Sequence, residues 1–245
     1  MKPPFLLFDH LVFAAIVLIG PLGWRWLFPR FLRALAAGRK GARGRYYPLE
    51  IFPLWGLTAL VGGLWMVEGR PWSALWLGGS SPVRLAIGWT LAVLYLALIV
   101  GQARALLPRP EKVAKVLVAM GDSRALLPST AGERNGFRAL SFTAGICEEF
   151  LFRGFVLWYA TQWAGPVVGF LVSSAAFGFM HIYLGPKHVP RTTIVGILFY
   201  VMAMTAGSLV PAMLAHTVTD LVAGELGYRA PKEEGGAWAP PSRVA

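Results

Sequence analysis

Charge is scarce in this chain. Of its 245 residues only 14% are Asp, Glu, Lys or Arg, while 56% are hydrophobic. A soluble domain draws about a quarter of its residues from the charged types, so a water-facing globular fold is excluded. Acidic residues are the scarcer sign, 12 against 23 Lys and Arg, for a net charge of +11. The basic excess does not point to nucleic acid, because Lys and Arg gather between apolar runs and form no basic face with interleaved aromatics. Cysteine is almost absent. Cys147 is the only one, which rules out an internal disulfide, and it reads as a small buried residue beside Glu148. No His-Glu-x-x-His pair occurs, so the usual helical zinc-protease signature is missing.

What the chain has in abundance is apolar runs of 18 residues or more, the length needed to cross the hydrocarbon core. Seven helices are predicted, at about 5–28, 46–67, 83–103, 139–161, 164–183, 192–206 and 209–227. An eighth, re-entrant or split, fits the same pattern. The fold class is therefore all-α, a polytopic transmembrane helix bundle of about seven to eight spans. The first run is too long for a removable signal peptide and carries no small-residue cleavage site. Residues 1–227 form a single transmembrane domain with a motif-bearing core at about 139–227. The tail, 228–245, is rich in Pro, Gly and Ala and is expected to be disordered.

Two connections are strongly basic. Residues 30–45 hold Arg30, Arg33, Arg39, Lys40, Arg43 and Arg45, and 104–138 hold seven Lys and Arg, with charge and apolar residues alternating at helical spacing over 111–120. Both are expected on the cytoplasmic side, beside anionic lipid. Two spans separate them, so the two assignments agree. The N-terminus then falls outside and the C-terminus inside. The Ala, Arg, Gly and Pro-rich composition fits a bacterial inner membrane.

Ionisable residues inside spans cost several kcal/mol each and are seldom decorative. The first three spans read as nearly free of them. The last four hold Glu148, Glu149, Arg153, His181, His216 and Asp220. On a helix Glu148 and Glu149 point about 100° apart and cannot share one role. Glu149 stands four residues before Arg153, the favourable order for an ion pair. Arg153 therefore compensates Glu149, and Glu148 is free to act on a proton. Phe177 lies one turn before His181 and is placed to wall it. His216 and Asp220 share a face at i, i+4, so that Asp220 orients His216 or both meet a substrate carbonyl or a metal.

Glu-Glu-x-x-x-Arg at 148–153, Phe-x-x-x-His at 177–181 and His-x-x-x-Asp at 216–220, in this order on successive apolar segments, resemble the CPBP family. This is the CAAX protease and bacteriocin-processing (Abi) family of intramembrane endopeptidases, also described as type II CAAX prenyl endopeptidase-like. The resemblance spans about 140–222. It implies a glutamate-type intramembrane protease in which Glu148 and His181 activate water, Glu149 and Arg153 form a supporting pair, and His216 with Asp220 sits at the oxyanion. Phe177 is expected at the substrate. Many members carry Asn where this chain has Asp220, and an ionised Asp donates no hydrogen bond. Either Asp220 is protonated, or His216 alone donates and Asp220 orients it. No cofactor is expected. Zinc is the lower-ranked alternative, since Glu, His, His and Asp are acceptable ligands. The expected partners are a membrane-presented peptide or protein substrate and the lipid bilayer. The competing readings are a non-catalytic membrane immunity or accessory factor with a structural polar network, and a proton-coupled transporter, for which the spans are too few and show no inverted repeat.

Overall fold

The computed structural model describes residues 6–230, and among these every regular element is helical. The first helix, α1, runs over Leu7–Ala36 with a π turn at Ala15–Ile19. It is followed by α2, Ala42–Val67, and α3, Pro82–Leu106. The charge-patterned stretch forms a short helix, α4, Pro110–Ala119. Next come α5, Ala131–Glu149, a π turn at Phe150–Val156 and α6, Leu157–Met180. The last two helices are α7, His188–Ala206, and α8, Val210–Arg229. The tail expected to be disordered lies, from residue 231 on, outside the described residues.

Five helical stretches are long and apolar enough to cross a membrane: Leu7–Ala36, Ala42–Val67, Pro82–Leu106, Ala131–Leu184 and His188–Ala206. The fourth is 54 residues long, about 80 Å if straight, far more than one crossing. It divides at Gly165, whose φ of 83° and ψ of 172° are open in practice only to glycine. Pro166 then starts the second limb, where its missing N–H costs nothing. This break separates the fourth expected span from the fifth. The seventh expected span, α8, forms as a helix but is too polar to reach the hydropathy of the other five, because it carries His216, Asp220 and Glu225.

The outer surface is apolar. Leu18, Leu22, Phe52, Met66, Leu94, Leu98, Val167 and Leu171 are all exposed, a distribution that suits lipid and not water. Inside, α5 packs most extensively on α8, α6 on α7, and α2 on α5. Gly145 explains how closely α5 and α8 approach. A Cβ there would lie 2.8 Å from Thr217 N and 2.9 Å from Met213 O, so only a residue without a side chain fits.

Polar links fix the register between helices. Trp55 Nε1 donates to Thr143 Oγ1 at 3.0 Å, tying α2 to α5, and the hydroxyls of Tyr95 and Thr219 meet at 3.0 Å between α3 and α8. Thr130 and Glu133 form a reciprocal capping box at the start of α5. Arg43 reaches the same region from α2, donating to Ala125 O at 2.8 Å and lying 3.5 Å from Glu133. At the far end of α2, Arg70 donates to both oxygens of Asp9 at 2.8 Å. The first spans are thus less free of charge than expected: α1 buries Asp9 and α2 buries Glu50.

Candidate active site

The two adjacent carboxylates stand at the end of α5, where the π turn begins. A π turn widens the helix and re-aims the side chains beside it. Here Ser173 Oγ of α6 donates to Phe152 O at 2.7 Å. The turn is buried along its whole length.

Glu149 is fully buried, and its Oε1 accepts two hydrogen bonds. One comes from Arg153 Nη1 at 3.0 Å, the other from His216 Nδ1 of α8 at 2.9 Å. The carboxylate paired with Arg153 has no proton to give, so His216 Nδ1 is the donor. Arg153, equally buried, also donates through Nη2 to Gly196 O of α7 at 2.9 Å, and its guanidinium lies over the Phe177 ring at 3.9 Å. Four helical segments therefore meet at one ion pair. Gly196 makes this possible, since a Cβ there would stand 2.7 Å from Arg153 Nη2 and 2.8 Å from Phe177 Cδ1.

Glu148 is placed differently. It is half-buried, and its inner oxygen, Oε2, has no hydrogen-bond partner. It lines a cleft together with His181. His181 ends α6, and its Nδ1 lies 2.8 Å from Phe177 O. A carbonyl only accepts, so Nδ1 carries the proton and, in the neutral ring, Nε2 offers a lone pair.

His216 is held by two contacts besides Glu149: its ring stacks on Phe199 at 5.1 Å and meets the edge of Phe177 at 5.8 Å. The spacing of His216 and Asp220 suggested that Asp220 orients the ring. In the structure Glu149 makes the orienting bond, and Asp220 Oδ2 stands 3.7 Å from Nε2, too far for a hydrogen bond. The close approach of α8 to α5 at Gly145 is what lets Nδ1 of His216 reach Glu149. Asp220 remains near enough to His216 and His181 for charges to interact.

Phe177, expected at the substrate, is only 2% exposed and takes no part in the cleft wall. Its ring is a post between Arg153, His181 and His216, with His181 at 5.1 Å. The other expected site residues come together as one cluster. Two titratable residues outside that set join the cleft wall: Glu50 from α2 and Tyr183, whose ring stacks on His181 at 6.3 Å. An intramembrane carboxylate in the second span was the available signal for Glu50. Among the described residues no three His, Cys, Asp or Glu are grouped so as to hold a metal ion.

Residues 136–222 match the family model described as Rce1-like: Type II CAAX prenyl endopeptidase Rce1-like. The match contains all three motifs and supports membership of the CPBP, or CAAX protease, family for this part of the chain. It also supports, at a general level, an intramembrane protease activity of that family. No curated protein and no solved structure matches the chain.

Proposed function

We propose, with the Rce1-like match of the motif-bearing segment as premise, that this protein is a glutamate-type, metal-free intramembrane endopeptidase. Its substrate is a peptide or protein presented at the membrane. The observation that carries this reading is the contrast between neighbours: Glu149 Oε1 is held by Arg153 and His216, while Glu148 lines a cleft shared with His181.

In this reading a water between Glu148 and His181 Nε2 gives its proton to Glu148 as its oxygen adds to the scissile carbonyl carbon. The π electrons of that carbonyl move onto its oxygen, and the oxyanion is met by the Nε2–H of His216. Nδ1–H is already committed to Glu149, so this donor is the imidazolium form. Its charge and that of Arg153 are balanced by Glu149 and Asp220. Collapse re-forms the carbonyl and breaks the C–N bond, and the leaving amine takes the proton from Glu148. Asp220 contributes charge and not a hydrogen bond. Glu149, Arg153 and Phe177 hold His216 and His181 in place.

The basic connections at 30–45 and 104–138 support a reading in which the N-terminus is outside, the C-terminus is in the cytoplasm and the cut falls toward the cytoplasmic face; a bacterial inner membrane is part of the same proposal. The test is peptide cleavage by the purified full chain in detergent, compared with Glu148→Gln and His181→Ala. Loss of cleavage with unchanged expression and melting supports the protease. Full cellular function in both variants would leave the cluster as the folding element of a non-catalytic membrane factor.

A further inference from the structure

The cleft that holds Glu148 and His181 has a wall that the family match does not cover. Along α2, Glu50, Leu54 and Leu57 lie at i, i+4 and i+7 and all face this cleft, one stripe of a helix. Glu50 is outside the matched segment 136–222. It is only 9% exposed, and its Oε1 has no hydrogen-bond partner. Tyr46, one turn earlier, is its polar neighbour and interacts with it, but at more than 3.5 Å, so the Tyr46 hydroxyl does not close a full hydrogen bond on the carboxylate. Glu50 is near enough to Glu148 for their charges to interact.

Among the described residues no Lys or Arg lines the cleft. The two arginines buried among them are committed elsewhere. Arg153 is held by Glu149 and Gly196 O, and Arg43 by Ala125 O, Ser129 and Glu133. A buried carboxylate with no cation is costly, so this wall is complementary to a ligand that brings the cation with it. Leu54 offers apolar surface for the stem of a long basic side chain, and Trp24 and Tyr183 line the same cleft with aromatic faces suited to a cationic head.

We propose that Glu50 is a specificity-determining residue, seating a Lys or Arg side chain of the substrate beside the bond to be cut. The proposal rests on the protease reading of the site and adds to it a substrate class, a basic peptide segment. Glu50 touches the substrate and takes no part in activating water.

The experiment uses the full chain in detergent and two peptides that differ only in lysine or norleucine next to the cut site, which is first located by mass spectrometry of a digested random peptide pool. The wild type is expected to favour the lysine peptide by at least tenfold in kcat/KM, the size of one charge-assisted hydrogen bond. Glu50→Gln is expected to keep cleaving, with an unchanged melting temperature, and to lose that preference. Glu50→Asp is expected to keep part of it. An unchanged lysine-to-norleucine ratio in Glu50→Gln overturns the proposal while leaving the protease intact. If the wild type shows no Glu148-dependent cleavage, the protease reading fails instead. The Kd ratio of the same two peptides, wild type against Glu50→Gln, then decides whether Glu50 pairs with a cation at all.

Discussion

Glu149 Oε1 is shared by Arg153 Nη1 at 3.0 Å and His216 Nδ1 at 2.9 Å, so one carboxylate oxygen joins the motif on α5 to the motif on α8. Its sequence neighbour Glu148 instead lines the cleft shared with His181. Two adjacent residues of one chemical type thus do unlike work, and their variants are expected to fail in unlike ways.

Glu149→Gln leaves Arg153 buried without its counter-charge. Breaking a buried pair from one side costs about 3–5 kcal/mol, so thermal unfolding in detergent should show a large drop in melting temperature, with activity lost alongside. Glu148→Gln should melt within about 1 kcal/mol of the wild type, since it breaks no hydrogen bond at Oε2, and should lower kcat by roughly 10² to 10⁴-fold.

Gly196→Ala places a methyl group against Arg153 Nη2 and Phe177. The guanidinium must shift away from Gly196 O, at an expected cost of about 1–3 kcal/mol. Through Phe177 the shift reaches both His181 and His216, so kcat should fall more than KM rises. A melting curve together with steady-state kinetics separates this from global unfolding. Gly145→Ala should be more severe, because its Cβ meets backbone atoms of α8 that cannot rotate aside.

The motif residues were legible in the sequence because each motif is local. Intramembrane charge singled them out, and the i, i+4 spacing of Glu149 and Arg153 gave their ion pair directly. The His216–Glu149 bond was not legible, because it joins helices 67 residues apart and spacing within one helix carries no information about the register of another. The i, i+4 spacing left open whether Asp220 orients His216 or both face a ligand, and the structure has Glu149 on Nδ1 with Asp220 3.7 Å from Nε2. The π turn was hidden as well, since Phe150 to Val156 reads as an ordinary apolar helix. Glu50 escaped notice because it follows a basic connection and stands among apolar and Pro residues, as an interfacial carboxylate would.

Ser173→Ala tests the π turn. It removes the hydroxyl that donates to Phe152 O at 2.7 Å, while the Leu157 N–H still serves that carbonyl, so the loss is that of one hydrogen bond, about 0.5–1.5 kcal/mol. Melting should fall by that amount. Cleavage should fall further than Ser173→Cys allows, since a thiol retains a weak donor at the same place.

Prolonged treatment with a strong chelator should leave the cleavage rate unchanged under the metal-free reading, and added zinc should not raise it. Loss of activity on chelation that zinc restores would move Glu148, His181, His216 and Asp220 from general-base chemistry to metal ligation.

The shared oxygen of Glu149 also bears on how the protein is made. Glu149 and Arg153 lie on one continuous helical stretch, so their charges cancel before that stretch enters the bilayer, and insertion carries a pair in place of two bare ions. His216 arrives only with the last helix. During synthesis the nascent chain therefore holds its ion pair early and lacks His216 until α8 is made, so under the proposed mechanism the oxyanion donor joins the site only after Glu148 and His181 are in place.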